Sequence, residues 1–171
     1  DDFFVTVRGK GGHASTPHFG RDPIPVAAEI VLAAQSMVTR RIDAFNPAVL
    51  TVGRFHAGST TNVIPETAEL AGTIRTVSDW SRLSVTGAFE RVVRNVAAAH
   101  ECEVDVTMRP GYSVVNNDAS FTEFVAETAT QVLGEGRYFE LPSPIMGSED
   151  FGYLLERVPG AMGFLGVCPT D

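Results

Sequence analysis

Glu66-Thr67-Ala68-Glu69-Leu70-Ala71-Gly72-Thr73-Ile74-Arg75-Thr76 repeats with a period of two. Ala68, Leu70, Gly72 and Ile74 fall on one side, and Thr67, Glu69, Thr73 and Arg75 on the other. That is the signature of a strand with one covered face, and it aims Arg75 away from the helices that would cover it. Upstream, Pro47 opens a strand from Ala48 to His56, joined by the polar loop Gly58-Ser59-Thr60-Thr61-Asn62. Further back, Asp22-Pro23 starts a helix in which Val26, Ile30, Ala33 and Met37 recur at helical spacing until Arg40-Arg41. Phe3, Val5 and Val7 alternate in a first strand that Gly9 to Gly12 break. Downstream, Ser78 is an N-cap for a helix to about Ala99, with Val85, Phe89, Val92 and Val96 as its apolar stripe. Val104, Val106 and Met108 form a last strand before Pro110-Gly111. The order is βαββαβ over residues 2 to 110, a ferredoxin-like arrangement with four strands, both helices on one face and a bare face opposite.

From Tyr112 the pattern changes. Val114-Val115 is a short extended segment, and Ser120 with Glu123 reads as a capping box for a helix carrying Phe121, Phe124, Val125, Ala129 and Val132, ended by Gly134. A Pro-rich connection, the run Met146-Gly147-Ser148-Glu149-Asp150-Phe151, a short helix to Val158 and an apolar strand from Met162 to Val167 follow. These elements are too few to bury their own faces, so residues 112–171 are expected to belong to another domain, separate from residues 1–111, whose remainder is missing. Both ends look cut: the chain begins at Asp1 directly on a strand pattern and stops after Gly166-Val167-Cys168-Pro169-Thr170-Asp171.

Thirteen Lys and Arg against twenty-one Asp and Glu give a formal charge of -8, which repels phosphate and argues against a nucleic-acid partner. No apolar run approaches the length of about 20 residues that spans a bilayer, and no signal-peptide pattern opens the chain; the expectation is a cytoplasmic protein without a membrane partner. Cys102 and Cys168 have neither CxxC nor metal-ligand spacing and read as small apolar residues.

Gly9-Lys10-Gly11-Gly12-His13-Ala14-Ser15 follows a strand but matches neither the phosphate loop nor the dinucleotide fingerprint. Its glycines permit close approach to a ligand and place His13 where an imidazole can donate to a developing oxyanion; the same residues equally describe a tight turn with an exposed His. Asn62 satisfies a turn or offers an amide donor, and Arg75 on the bare face presents a fork matched to a carboxylate. Ser148 after Gly147 caps a helix starting at Glu149, or helps bind an anion at its N-terminus. His18, His56 and His100 are scattered, and no nucleophile triad or zinc-ligand cluster can be assembled.

Taken together, Gly9-Lys10-Gly11-Gly12-His13-Ala14-Ser15-Thr16-Pro17-His18, Thr61-Asn62-Val63-Ile64-Pro65, Gly72-Thr73-Ile74-Arg75-Thr76 and Met146-Gly147-Ser148-Glu149-Asp150-Phe151 resemble the aminoacylase/carboxypeptidase family of metal-dependent amidohydrolases, nearest its hippurate and auxin-conjugate hydrolases. The resemblance implies that residues 1–111 are a lid that mediates homodimerisation, that residues 112–171 are the C-terminal portion of an incomplete α/β catalytic domain, and that the small-molecule substrate is an N-acyl amino acid. It implies that His13 polarises the scissile carbonyl across the dimer, that Asn62 and Arg75 bind substrate, chiefly its carboxylate, and that Gly147 and Ser148 belong to a substrate loop. It also implies a divalent cofactor (zinc, manganese or cobalt) in the full-length enzyme. The family's ligands, a Cys-x-His segment, a Glu-Glu pair and further histidines, are expected outside this chain, so the fragment alone is expected to be inactive. The rival is a non-catalytic oligomerisation or small-carboxylate-binding module on the same sheet.

Overall fold

The computed structural model describes residues 1–168, in two units, Asp1–Gly111 and a second beginning at Tyr112. The first carries β1 (Asp2–Arg8), a two-residue strand β2 (Gly12–His13), a 3-10 turn (Pro17–Phe19), α1 (Pro23–Arg41), β3 (Ala48–Ala57), β4 (Val63–Ile64), β5 (Thr67–Thr76), α2 (Asp79–Ala99) and β6 (Glu103–Arg109). The main sheet has the antiparallel order β3-β5-β1-β6. β5 lies between the two strands that α1 connects, and β1 lies between the two that α2 connects, which is the split βαβ expected from the alternation.

The register sends every second residue of β1 into the core: Val5 faces Leu70 on one side and Val106 on the other. Phe3, Val5, Val7, Ala68, Leu70 and Ile74 are buried against α1 and α2, and the Phe3 and Phe89 rings meet at 4.5 Å. Burying each of the larger of these side chains stabilises the unit by about 1.5–3 kcal/mol, and the Ala68 methyl by less. In α1 the buried row is Val26, Ile30, Ala34 and Met37, so Ala34 takes the place anticipated for Ala33. In α2 it is Val85, Phe89, Val93 and Ala97; Val92 and Val96 pack only partly. Both rows of α2 are apolar, and the row spaced by four residues faces the sheet squarely.

The opposite face of the sheet is polar and paired. Arg8 with Asp105, Arg54 with Glu69, and Arg109 with Asp2 form exposed ion pairs, and the Arg109 guanidinium stacks 4.9 Å from the Phe4 ring centroid. β3 is an edge strand, bent by a register shift between Val52 and Arg54.

The caps of α1 and α2 appear where the sequence signals them. Asp22 accepts from the Ile24 amide at 3.0 Å with Pro23 as the first helical residue, and Ser78 accepts from the Ser81 amide at 3.1 Å. Ser81, buried, also bonds Asn46 Oδ1 at 2.6 Å, which ties the loop before β3 to the start of α2. The two ends of the unit are clasped together. The Asp1 carboxylate accepts from Arg82 Nε at 2.9 Å, from Arg82 Nη2 and from the Gly111 amide at 2.8 Å, while Arg82 Nη2 donates to the Gly111 carbonyl at 3.1 Å.

The second unit contains α3 (Ala119–Leu133) and α4 (Gly152–Leu155). The cap of α3 is Asp118, not Ser120: Asp118 Oδ1 accepts from the Phe121 amide at 3.1 Å, and the Ser120 hydroxyl donates to that same oxygen at 2.6 Å. An ionised carboxylate two positions earlier out-competes the hydroxyl for the free amides. Residues 162–167 form no strand; at their start the Asn117 side chain accepts from the Met162 amide at 3.0 Å and donates to the Met162 carbonyl at 3.1 Å. Val114-Val115 is likewise irregular. No residue of α3 is buried. Pro169, Thr170 and Asp171, the end of the expected C-terminal portion, lie outside the described residues.

Candidate functional site

The glycine run after β1 builds the loop that carries His13. At Gly9 a Cβ would stand 2.0 Å from the Arg21 carbonyl oxygen, and at Gly11 it would stand 2.9 Å from that of Ile64. Both glycines therefore serve close approach of the chain to itself, while only Gly12 faces open space. The amide of Gly9 donates to Glu66 at 2.9 Å, and Lys10 bridges Arg21 in both directions. Three backbone hydrogen bonds thus fix the chain before His13 is reached.

β2 then pairs with β4, Gly12 opposite Ile64 and His13 opposite Val63. One step on, the Ala14 amide donates to the Asn62 carbonyl at 3.0 Å. Two segments that are separate in the sequence, the His13 loop and the Asn62 loop, are thus joined, and both side chains are exposed. Ladders of two residues leave no periodicity to read, so the sequence presents one as a break and the other as a polar loop.

The His13 ring is held locally. Nδ1 lies 2.7 Å from Ser15 Oγ and accepts from the Ser15 amide at 3.2 Å, while the Thr16 amide closes a turn on the His13 carbonyl at 3.0 Å. Imidazoles in such a setting offer one fixed face and one free nitrogen for chemistry.

Arg75 is not brought to this place. It is the next-to-last residue of β5, opposite Val49, whereas the His13 and Asn62 loops lie past the Thr67 end of the same strand. At about 3.4 Å per residue, Arg75 lies about 27 Å along the strand from Thr67. It stands instead near the Asp1 amino group, whose pKa is lowered by burial first, then by Arg82, with a smaller part from Arg75.

The other histidines are accounted for separately. His18 sits in the 3-10 turn with its ring 4.2 Å from that of Phe19, His56 is exposed on β3, and His100 caps α2 while its Nε2 lies 2.6 Å from Glu29 Oε2. Gly147 and Ser148 are exposed in irregular chain. Ser148 does not cap a helix: α4 starts only at Gly152, after a turn in which the Tyr153 amide donates to the Asp150 carbonyl at 3.1 Å. The anion-binding reading of that cap goes with it, since a four-residue helix offers no such terminus.

Among the described residues no group of three or more His, Cys, Asp or Glu side chains is placed to hold a metal ion, and no helix is long and apolar enough to cross a membrane. What the geometry brings together is the His13 imidazole and the Asn62 loop on a short ladder, with the Arg75 guanidinium at the other end of β5.

Known proteins show the same architecture. Over 169 residues the chain is 41% identical to an N-acetyldiaminopimelate deacetylase of Geobacillus thermodenitrificans, a match covering 97% of this chain and 44% of that protein. It is 37% identical over 170 residues to an N-acetyl-L-cysteine deacetylase of Bacillus subtilis, covering 97% of this chain and 39% of that protein. Among solved structures, a Bacillus subtilis dinuclear metal-binding peptidase of the M20 family superposes with a TM-score of 0.70 at 28% identity, covering 94% of this chain and 38% of that one. The chain thus spans less than half the length of the relatives it matches. Residues 2–101 match the family model for the peptidase dimerisation domain, and the chain belongs to that family.

Proposed function

We propose that this chain is the lid and part of the catalytic domain of a metal-dependent amidohydrolase that cleaves the amide bond of N-acyl amino acids. Residues 1–111 are the lid and residues 112–171 return into the catalytic domain, with Gly147 and Ser148 in a substrate loop. The observation that carries the reading is the β2–β4 ladder, which places His13 beside the Asn62 loop with both side chains open to a ligand. The names of the relatives, deacetylases of acylated amino acids, supply the substrate class.

In this reading His13 donates to the carbonyl oxygen of the scissile amide, and Asn62 and Arg75 contact the substrate, chiefly its carboxylate. Since Arg75 lies about 27 Å along β5 from the end nearest His13, one small substrate does not touch both from a single lid. They serve two sites related by the two-fold axis of a homodimer, with His13 acting on the partner's substrate. The free edge of β3 is the surface on which such a dimer pairs.

In this reading the divalent ion is bound by residues of the full-length enzyme outside this chain; among the described residues no three His, Cys, Asp or Glu side chains group as ligands. The test is hydrolysis by the full-length, metal-supplied enzyme of a panel of N-acetyl amino acids. Release of acetate is expected, with Arg75→Ala raising KM by about tenfold to a hundredfold, the loss of a hydrogen bond to a charged group, and leaving kcat near its parent value. Binding of such substrates without turnover would replace the hydrolase with a carboxylate-binding module.

A further inference from the structure

We infer that Ser15 is a positioning residue that holds His13 as the neutral tautomer protonated on Nε2, leaving that N–H as the donor directed outward. The inference rests on the oxyanion role proposed for His13, and its own ground is the hydrogen bonding around the ring.

Nδ1 of His13 has two neighbours, both from Ser15: the backbone amide at 3.2 Å and the hydroxyl at 2.7 Å. The backbone amide can only donate, so the nitrogen facing it must present its lone pair. A proton on Nδ1 would set two N–H groups against each other. With Nδ1 as acceptor, the hydroxyl, which can rotate, also turns its hydrogen toward the ring. The remaining proton of a neutral imidazole is then on Nε2, to which no hydrogen bond is made among the described residues.

The surrounding chain makes this arrangement stiff. The Thr16 amide closes back on the His13 carbonyl at 3.0 Å, the Thr16 hydroxyl reaches the same oxygen at 3.4 Å, and the Ala14 amide is bonded to Asn62 at 3.0 Å. Ser15 therefore meets the ring from a turn whose ends are both anchored. A histidine that must donate to a developing oxyanion needs its proton on the outward nitrogen before the substrate arrives, because the wrong tautomer presents a lone pair to the negative oxygen. Ser15 touches neither the reacting atoms nor the substrate in this account; it acts through His13.

The experiment reads the tautomer directly. Long-range proton–nitrogen correlation spectra of the nitrogen-labelled chain, at a pH where the ring is neutral, are expected to show His13 with its proton on Nε2. Ser15→Ala removes the hydroxyl but keeps the amide, and is expected to raise the fraction protonated on Nδ1 by about fivefold, the value of one ordinary hydrogen bond. Ser15→Thr, which restores a hydroxyl at the same place, is expected to return the ring to the parent spectrum. In the full-length enzyme Ser15→Ala is expected to lower kcat by a similar factor with KM unchanged. A wild-type ring protonated on Nδ1, or a Ser15→Ala spectrum identical to the parent, overturns the inference. The spectrum needs no turnover, so failure of the hydrolase reading would appear in the kinetics of His13→Ala and failure of the Ser15 role in the spectrum alone.

Discussion

Gly72 is the position where one added carbon should cost the lid most. It lies in the middle of β5, opposite Phe3 on one side and Val52 on the other. A Cβ there would stand 2.0 Å from the Thr51 carbonyl oxygen and 2.6 Å from Phe3 Cζ. The aromatic ring can shift, but the carbonyl belongs to the neighbouring strand and cannot rotate aside without parting β3 from β5. Overpacking costs about 1–3 kcal/mol, and a backbone obstacle puts the cost near the upper end. Replacing a strand glycine by alanine returns about 0.5–1 kcal/mol of chain entropy. Gly72→Ala is thus expected to destabilise the unit by about 2 kcal/mol, or to lower its melting temperature by roughly 10 °C at about 4–8 °C per kcal/mol. Gly53→Ala is the control. It sits at the bulge of the adjacent strand with nothing within 4 Å of its prospective Cβ, and is expected to be neutral or slightly stabilising. Urea unfolding of the two variants beside the parent, with unchanged m-values, is the assay. Equal stability of the two would refute the claim that β5 and β3 are held at a spacing only glycine allows.

Two further expectations concern titratable groups. Cys102 is buried, and burial pushes its thiol pKa up, whereas Cys168 is exposed; iodoacetamide at neutral pH should modify Cys168 alone until denaturant is added, and rapid labelling of both in the native chain would contradict the packing around Cys102. The Asp118 carboxyl is held below its ordinary value by the Ser120 hydroxyl and then by the Phe121 amide. A depressed folded-state pKa contributes stability above the unfolded value of about 3.9 that is lost as pH falls through the folded one. Helical signal from α3 should therefore fade on acidification through that window in the parent and less so in Asp118→Asn, whose cap does not titrate; identical acid profiles would remove the capping role.

Much of this fold was legible because its sheet has one dry face. Ala68, Leu70 and Ile74 alternate against a polar row, and α1 and α2 carry apolar stripes, so period alone separates strands from helices and sets their order. The finer choices turned on competition that period does not record. Ala34 replaces Ala33 in the core, and Asp118 takes the cap from Ser120 because a carboxylate outbids a hydroxyl. Met162 to Val167 is apolar enough for a strand, yet it forms none, and the Met162 backbone bonds to the Asn117 side chain. At the site, each residue was visible by type, but the joining of the His13 and Asn62 loops was not. It depends on a ladder of two residues and on Gly9 and Gly11 folding against their own chain, which periodicity does not register. Nor did the alternation that placed Arg75 on the bare face indicate how far along the strand it lies from His13.

The central claim is that His13 stabilises charge that develops only during the reaction. Steady-state kinetics of His13→Ala in the full-length, metal-supplied enzyme test it most directly. Removing one oxyanion donor should lower kcat by about a hundredfold to a thousandfold while KM stays within a few-fold of the parent. An unchanged kcat, with or without a change in KM, would contradict the account.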